Sequence, residues 1–185
     1  MIVIEGIDGS GKTTIAKYIS KKYTLQFYKF PVYKDFKILK DFLNGKKNIS
    51  EEAAFLLFLS NVLINTKDKE GVYDRYVFSS IAYAYCFDIK NAMRIVNSLP
   101  FIKPDVLIYV DIDPLISLER KSKKTYKANI RENEKILSVV RDRYLYMAKR
   151  NFMVKWNIID SSKSLDNVIM NVENVIEHYL KKRMK

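Results

Sequence analysis

The chain has 185 residues, 48% hydrophobic and 29% charged, which suits one globular domain with a substantial core and excludes a disordered chain. The net charge of +12 fits a nucleic-acid binder, a site for small polyanions such as nucleotides, or a lysine-rich solvated surface; the even spread of lysines argues against one DNA-binding stripe. A lone cysteine, Cys86, excludes an intrachain disulfide, and with no apolar run of membrane-spanning length and no signal-peptide pattern at Met1–Glu5 the expected setting is the reducing cytoplasm.

In chain order, residues 1–7 form an apolar β-type run, expected as a buried strand, and 12–23 read as a helix. A short strand over 25–30 stops at Pro31, and Phe36, Leu39, Phe42 and Leu43 recur at helical spacing within 35–43. Ser50-Glu51-Glu52-Ala53 is a capped helix start, predicting a helix to about Lys69 that ends at Gly71. Val72-Tyr73-Asp74 reads as a third strand, and 79–87 and 91–99 as helices. The run DVLIYVDI over 105–112 is the clearest strand, and Asp113-Pro114 opens the next helix in the way proline favours. A long helix over 129–150, a strand over 155–159 and an amphipathic helix over 164–182 follow. Strands alternate with helices throughout. That pattern predicts one three-layer α/β/α domain over 1–185, with a five-stranded parallel sheet covered on both faces. Ligands of such sheets bind beyond the carboxyl ends of the strands.

Gly6-Ile7-Asp8-Gly9-Ser10-Gly11-Lys12-Thr13 matches G-x-x-x-x-G-K-[ST] between a predicted strand and a predicted helix, the context a phosphate-binding P-loop requires. Glycines let backbone N–H groups wrap a phosphate, and the helix adds its positive end. Lys12 is expected on the β and γ phosphates of ATP, and the Thr13 hydroxyl on Mg²⁺. Asp74 ends the third strand, where a magnesium-side carboxylate of the Walker-B kind belongs, and Arg75 beside it can clamp phosphate oxygens bidentately. Asp111 and Asp113 are rival acids at the end of the fourth strand, with Asp113 better placed as a helix cap. The run Arg120, Lys121, Lys123, Lys124, Lys127 and Arg131 reads as either a solvated charged face or a basic lid over ATP at about 120–131. His178 gains no role.

Together these residues resemble the thymidylate kinase family of P-loop nucleoside monophosphate kinases. Glu5 to Thr14 is similar to the family's phosphate loop, Phe30-Pro31 to its Phe-Pro, and Asp74-Arg75-Tyr76 with Ser79 and Ala82-Tyr83 to its DRY-x-x-S-x-x-A-Y signature. Val110 to Pro114 with Leu118-Glu119-Arg120 resembles the approach to its lid, Glu132-Asn133-Glu134 and Arg141 to Tyr144 its lid-side helix, and Asp160 to Ser164 its loop near adenine. The resemblance implies phosphorylation of dTMP to dTDP by ATP with Mg²⁺, in a homodimer built by helix packing and with no specific nucleic-acid partner; the Leu- and Phe-rich helix over Ala53–Ile64 reads equally as such a face or as core. It implies that Gly6 to Thr14 bind ATP phosphates, and that Asp8 holds the sugar 3′-hydroxyl. It implies that Arg75 bridges the two phosphates, Phe58 stacks on the base and Tyr83 favours deoxyribose, with Phe30, Asn61, Ser79 and Tyr144 also on the acceptor side. Gly9 matches members that supply a catalytic arginine from the lid, making Arg120 and Arg131 the candidates. Two positions depart from the pattern: Val62 stands where a base-contacting arginine is usual, and Tyr33-Lys34 where a phosphate-holding arginine is usual. Another pyrimidine nucleotide such as dUMP, or a deoxynucleoside, therefore stays open as acceptor. So does a nucleotide- and nucleic-acid-binding module without turnover.

Overall fold

The computed structural model describes residues 1–34, 36–66, 70–122 and 133–183. Five strands form one sheet: β1 (Ile2–Glu5), β2 (Phe27–Lys29), β3 (Val72–Asp74), β4 (Val106–Asp111) and β5 (Trp156–Asp160). Their order is β2-β3-β1-β4-β5, and every pairing is parallel. The helices are α1 (Lys12–Lys22), α2 (Lys37–Leu43), α3 (Glu51–Asn65), α4 (Val77–Ala82), α5 (Ile89–Asn97), α6 (Pro114–Ser122), α7 (Glu134–Lys149) and α8 (Leu165–Arg183). Among the described residues, no helix is long and apolar enough to cross a membrane.

The pleat decides which side each strand residue serves. Val3, Leu107 and Tyr109 face a core built with α3, α4, α5 and α7; Ile2, Ile4, Val106, Ile108 and Val110 face a second core built with α1 and α8. Central strands buried on both faces need apolar residues at every position, which is why β1 and β4 read as continuous runs rather than alternating ones. The layered parallel fold expected from the sequence is the one observed.

Several element ends differ from expectation. The third helix stops at Asn65, where Thr66 turns its N–H and hydroxyl back onto the Val62 carbonyl, and Ser50 caps its start by accepting from the Ala53 N–H. The helix expected over 79–87 is shorter and earlier, at Val77–Ala82. Its following carbonyls are instead taken by the Arg143 guanidinium, which donates to Ile81, Ala84 and Phe87. α7 starts at Glu134, with Asn133 accepting from the Ile136 N–H. Asp35 and residues 67–69, 123–132 and 184–185 lie outside the described residues, and with them most of the expected lid, including Arg131.

Candidate active site

β1 and β3 are neighbours, so the segments leaving their carboxyl ends meet at one edge of the sheet. The glycine-rich loop leaves β1 and runs into α1; Asp74 and Arg75 leave β3. The loop's backbone is held from outside. The Lys12 ammonium donates to the Ile7 carbonyl at 3.1 Å, the Ser117 hydroxyl of α6 to the Asp8 carbonyl, and the Ser161 hydroxyl to the Ser10 carbonyl at 2.7 Å. The Ser10 N–H closes the loop onto the Ile7 carbonyl at 3.3 Å, and a loop held in this way can turn its remaining N–H groups to a ligand. Gly9 has φ +83, and a Cβ there would sit 2.6 Å from the Ser117 carbonyl oxygen. The loop can lie this close to α6 only with glycine at that position. Gly11, at φ +89, opens α1 with no side-chain cap and no acid in the first turn, so the helix presents an uncompensated positive end.

Cations and carboxylates converge beside the loop. The Asp8 carboxylate accepts from Arg75 Nη2 at 2.7 Å, from Lys12 Nζ at 3.2 Å and from the Tyr83 hydroxyl at 3.2 Å. Burial pushes the Asp8 pKa upward, but Arg75, Lys12 and Lys121 outweigh it and hold the group well below the usual carboxylate range. Burial and the Arg75 charge lower the pKa of Lys12, against the pull of Asp8 and Asp74. The Arg75 guanidinium lies 5.3 Å from the Tyr83 ring centre, a cation–π approach, and also donates to the Ser79 hydroxyl at 2.8 Å. Its backbone adopts φ +74, which costs a non-glycine residue about 1–2 kcal/mol.

Asp74 is fully buried. Its Oδ2 accepts from the Thr13 hydroxyl at 2.6 Å, and its Oδ1 has no hydrogen-bond partner among the described residues. Lys29, at the end of β2, brings its ammonium to 3.6 Å from the same carboxylate. A part-buried hydroxyl and an orphaned carboxylate oxygen side by side make a hard-oxygen donor pair of the kind a divalent cation such as Mg²⁺ takes. The rival acids are engaged elsewhere. Asp111 receives a two-pronged bond from Arg141, both prongs 2.8 Å, and Asp113 caps α6 by accepting from the Leu115 N–H.

A glycine-rich loop at a helix start, a buried acid beside a threonine hydroxyl, and an arginine held between Asp8 and Ser79 thus share one edge of the sheet. The thymidylate kinase family model matches residues 4–172. The chain belongs to the thymidylate kinase family. A probable thymidylate kinase from Archaeoglobus fulgidus is 36% identical over 97% of this chain and 96% of its own length. One from Methanocaldococcus jannaschii is 34% identical over 97% and 95%. The thymidylate kinase of Candida albicans, 23% identical, superposes with a TM-score of 0.77 over 96% of this chain and 90% of that one, which shows the shared fold.

Of the residues that resemblance to thymidylate kinases singles out, Asp8, Lys12, Thr13, Asp74, Arg75, Ser79 and Tyr83 come together as described. Tyr144 joins them from below. Its ring is fully buried against Tyr109, and its hydroxyl donates to Glu5 at 2.8 Å. Phe30 is buried and stacks on Tyr73, and Phe58 is half-buried on α3. Asn61 is fully buried, accepting from the Val32 N–H at 2.9 Å and donating to the Val32 carbonyl at 2.7 Å. Its amide thus holds the segment after Pro31, and Val62 packs into the core. Arg120 donates to the Ser161 carbonyl at 2.8 Å, one residue removed from the loop rather than within the Asp8–Arg75 cluster. Sequence reasoning gave no individual role to Glu5 or Ser161, which it placed only within the phosphate-loop and near-adenine segments, and none at all to Lys29 or Ser117. An acid closing an apolar central strand was the signal for Glu5, and the Asp160–Ser164 resemblance was the signal for Ser161; Lys29 and Ser117 carry none.

Proposed function

We propose that this chain transfers the γ-phosphoryl group of ATP to dTMP, giving ADP and dTDP. The observation that carries the reading is the Lys12–Asp8–Arg75 cluster at the mouth of the phosphate loop, in a member of the thymidylate kinase family. The loop N–H groups and Lys12 hold the donor phosphates. Arg75, fixed by Asp8, spans donor and acceptor, so that its charge is already in place where negative charge builds during transfer. An acceptor phosphate oxygen attacks the γ-phosphorus as the bond to the bridging oxygen of ADP breaks. That oxygen is ionised at neutral pH, so no general base is needed. Thr13 and Asp74 would hold Mg²⁺, which supplies charge neutralisation on the phosphates. Arg120 and Arg131 are the candidates for a lid contact with ATP. Asp8 is assigned the sugar 3′-hydroxyl, Tyr83 the deoxyribose face, and Phe58, Phe30, Asn61, Ser79 and Tyr144 the walls and supports of the acceptor side. Because the Asn61 amide faces Val32, it supports the acceptor segment through the backbone.

We place the enzyme in the cytoplasm as a homodimer. α3 buries Ala54, Phe55, Leu59 and Val62, and turns Leu56, Leu63 and Ile64 outward, a helix apolar on both sides.

A coupled ADP-release assay with Mg-ATP tests the activity against dTMP, dUMP, dCMP, UMP, CMP, dGMP and thymidine. Fastest turnover of dTMP is expected. A faster rival acceptor would keep the kinase and overturn the substrate. No release above the rate without acceptor, joined to retention on a DNA or heparin column that falls steeply with salt, would put a nucleic-acid-binding module in its place.

A further inference from the structure

Glu5 closes the central strand, and its side chain is fully buried. The phosphate chemistry set out above makes no use of it. A carboxylate at this depth is costly unless donors surround it. Four do. Oε1 accepts from the Tyr76 N–H at 2.7 Å and the Ser79 N–H at 3.2 Å; Oε2 accepts from the Ser79 hydroxyl at 2.6 Å and the Tyr144 hydroxyl at 2.8 Å. An ionised carboxylate only accepts, so this set satisfies it without a proton of its own.

These donors enclose Arg75. The Tyr76 N–H belongs to the next residue. The Ser79 hydroxyl takes a proton bond from Arg75 Nη1 while giving its own to Glu5. On the opposite edge, Arg75 Nη2 donates to Asp8. The guanidinium is therefore set by two carboxylates, Asp8 directly and Glu5 through one hydroxyl. Arg75 also holds φ +74, a conformation that persists only where the surroundings impose it. Glu5 imposes it from beneath by fixing the N–H groups that follow.

We propose that Glu5 is a positioning residue for Arg75: its buried carboxylate fixes the turn of residues 75–79 and, through the Ser79 hydroxyl, the direction of the guanidinium, with Tyr144 tying that setting to α7. The inference rests on the reading of Arg75 as the phosphate clamp. A Glu5 that served the fold alone would act independently of what stands at position 75.

Four proteins decide it in the ADP-release assay: wild type, Glu5→Gln, Arg75→Lys and the double variant. Glutamine keeps the shape of Glu5 but turns one acceptor into a donor facing the Ser79 and Tyr144 hydroxyls. Lysine keeps the charge at 75 but lacks the second prong that reaches Ser79. Glu5→Gln is expected to lower kcat/KM about 10- to 100-fold in the wild-type background, as loss of a supporting group does. In the Arg75→Lys background the same change is expected to cost less than about threefold, because the contact it supports is already gone. Losses that multiply in the double variant overturn the proposal. Arg75→Lys activity within about twofold of wild type overturns the clamp reading instead, and the Glu5 proposal with it. If circular dichroism shows Glu5→Gln unfolded, Ser79→Ala takes its place, since it leaves both backbone bonds to Glu5 and removes the link to Arg75. The same non-additivity is then expected, and multiplying losses again overturn the proposal.

Discussion

Asp8 accepts from an arginine, a lysine and a tyrosine at once, so its charge state governs the cluster. Burial alone would raise its pKa; Arg75, followed by Lys12 and Lys121, reverses that and carries it well below its ordinary 3.8. A carboxylate depressed in the folded state stabilises fully above its unfolded pKa and loses that stabilisation as pH falls below it. Asp8→Asn removes the carboxylate that Arg75 and Lys12 share, leaving only the more distant Glu5 and Asp74 to offset them, so the variant is expected to melt a few degrees lower at pH 7. The gap to wild type should narrow below about pH 4, where Asp8 of the unfolded wild-type chain takes up a proton while the folded carboxylate stays ionised. Melting curves across acid pH check this, and a gap independent of pH would refute it. Lys29 adds a further cation on Asp74, from a residue whose sequence context offered no hint of it.

Local chemistry wrote some elements into the sequence and left others to distant partners. The phosphate loop was legible because its backbone conformation is encoded by the residue type that can adopt it, as Gly9 at φ +83 illustrates. β4 was legible because burial on both faces demands an unbroken apolar run. α4 was misplaced because Arg143, some sixty positions later in the chain, receives the carbonyls that a longer helix would have used. Asn61 was assigned to the acceptor side by resemblance alone; its buried partner, the Val32 backbone, could not be seen without the fold. Arg143→Ala removes the guanidinium donors from the carbonyls of Ile81, Ala84 and Phe87, leaving Ile81 with the Ala84 N–H and Ala84 with the Phe87 N–H, and is expected to cost about 1–3 kcal/mol in urea unfolding. A loss under about 0.5 kcal/mol would mean that water replaces the guanidinium there. Because Tyr83 lies in this segment, activity should fall as well.

At the scale of the molecule, α3 presents an apolar flank that the chain itself does not cover: Leu56 is 54% exposed and Ile64 63%. Replacing both by glutamate is expected to turn a dimer in sedimentation velocity into a monomer without loss of helical signal, since neither side chain is in the core. A wild-type protein that already sediments as a monomer would refute the homodimer. The sheet order has a separate bearing on how the chain is made. β1 is synthesised first, yet its two neighbours are β3, some seventy residues later, and β4, just over a hundred later. Long-range parallel pairing must wait for both. The glycine-rich loop that follows β1 therefore leaves the ribosome well before the two strands that flank β1 in the sheet, so its seat in the sheet has to be completed by segments made later.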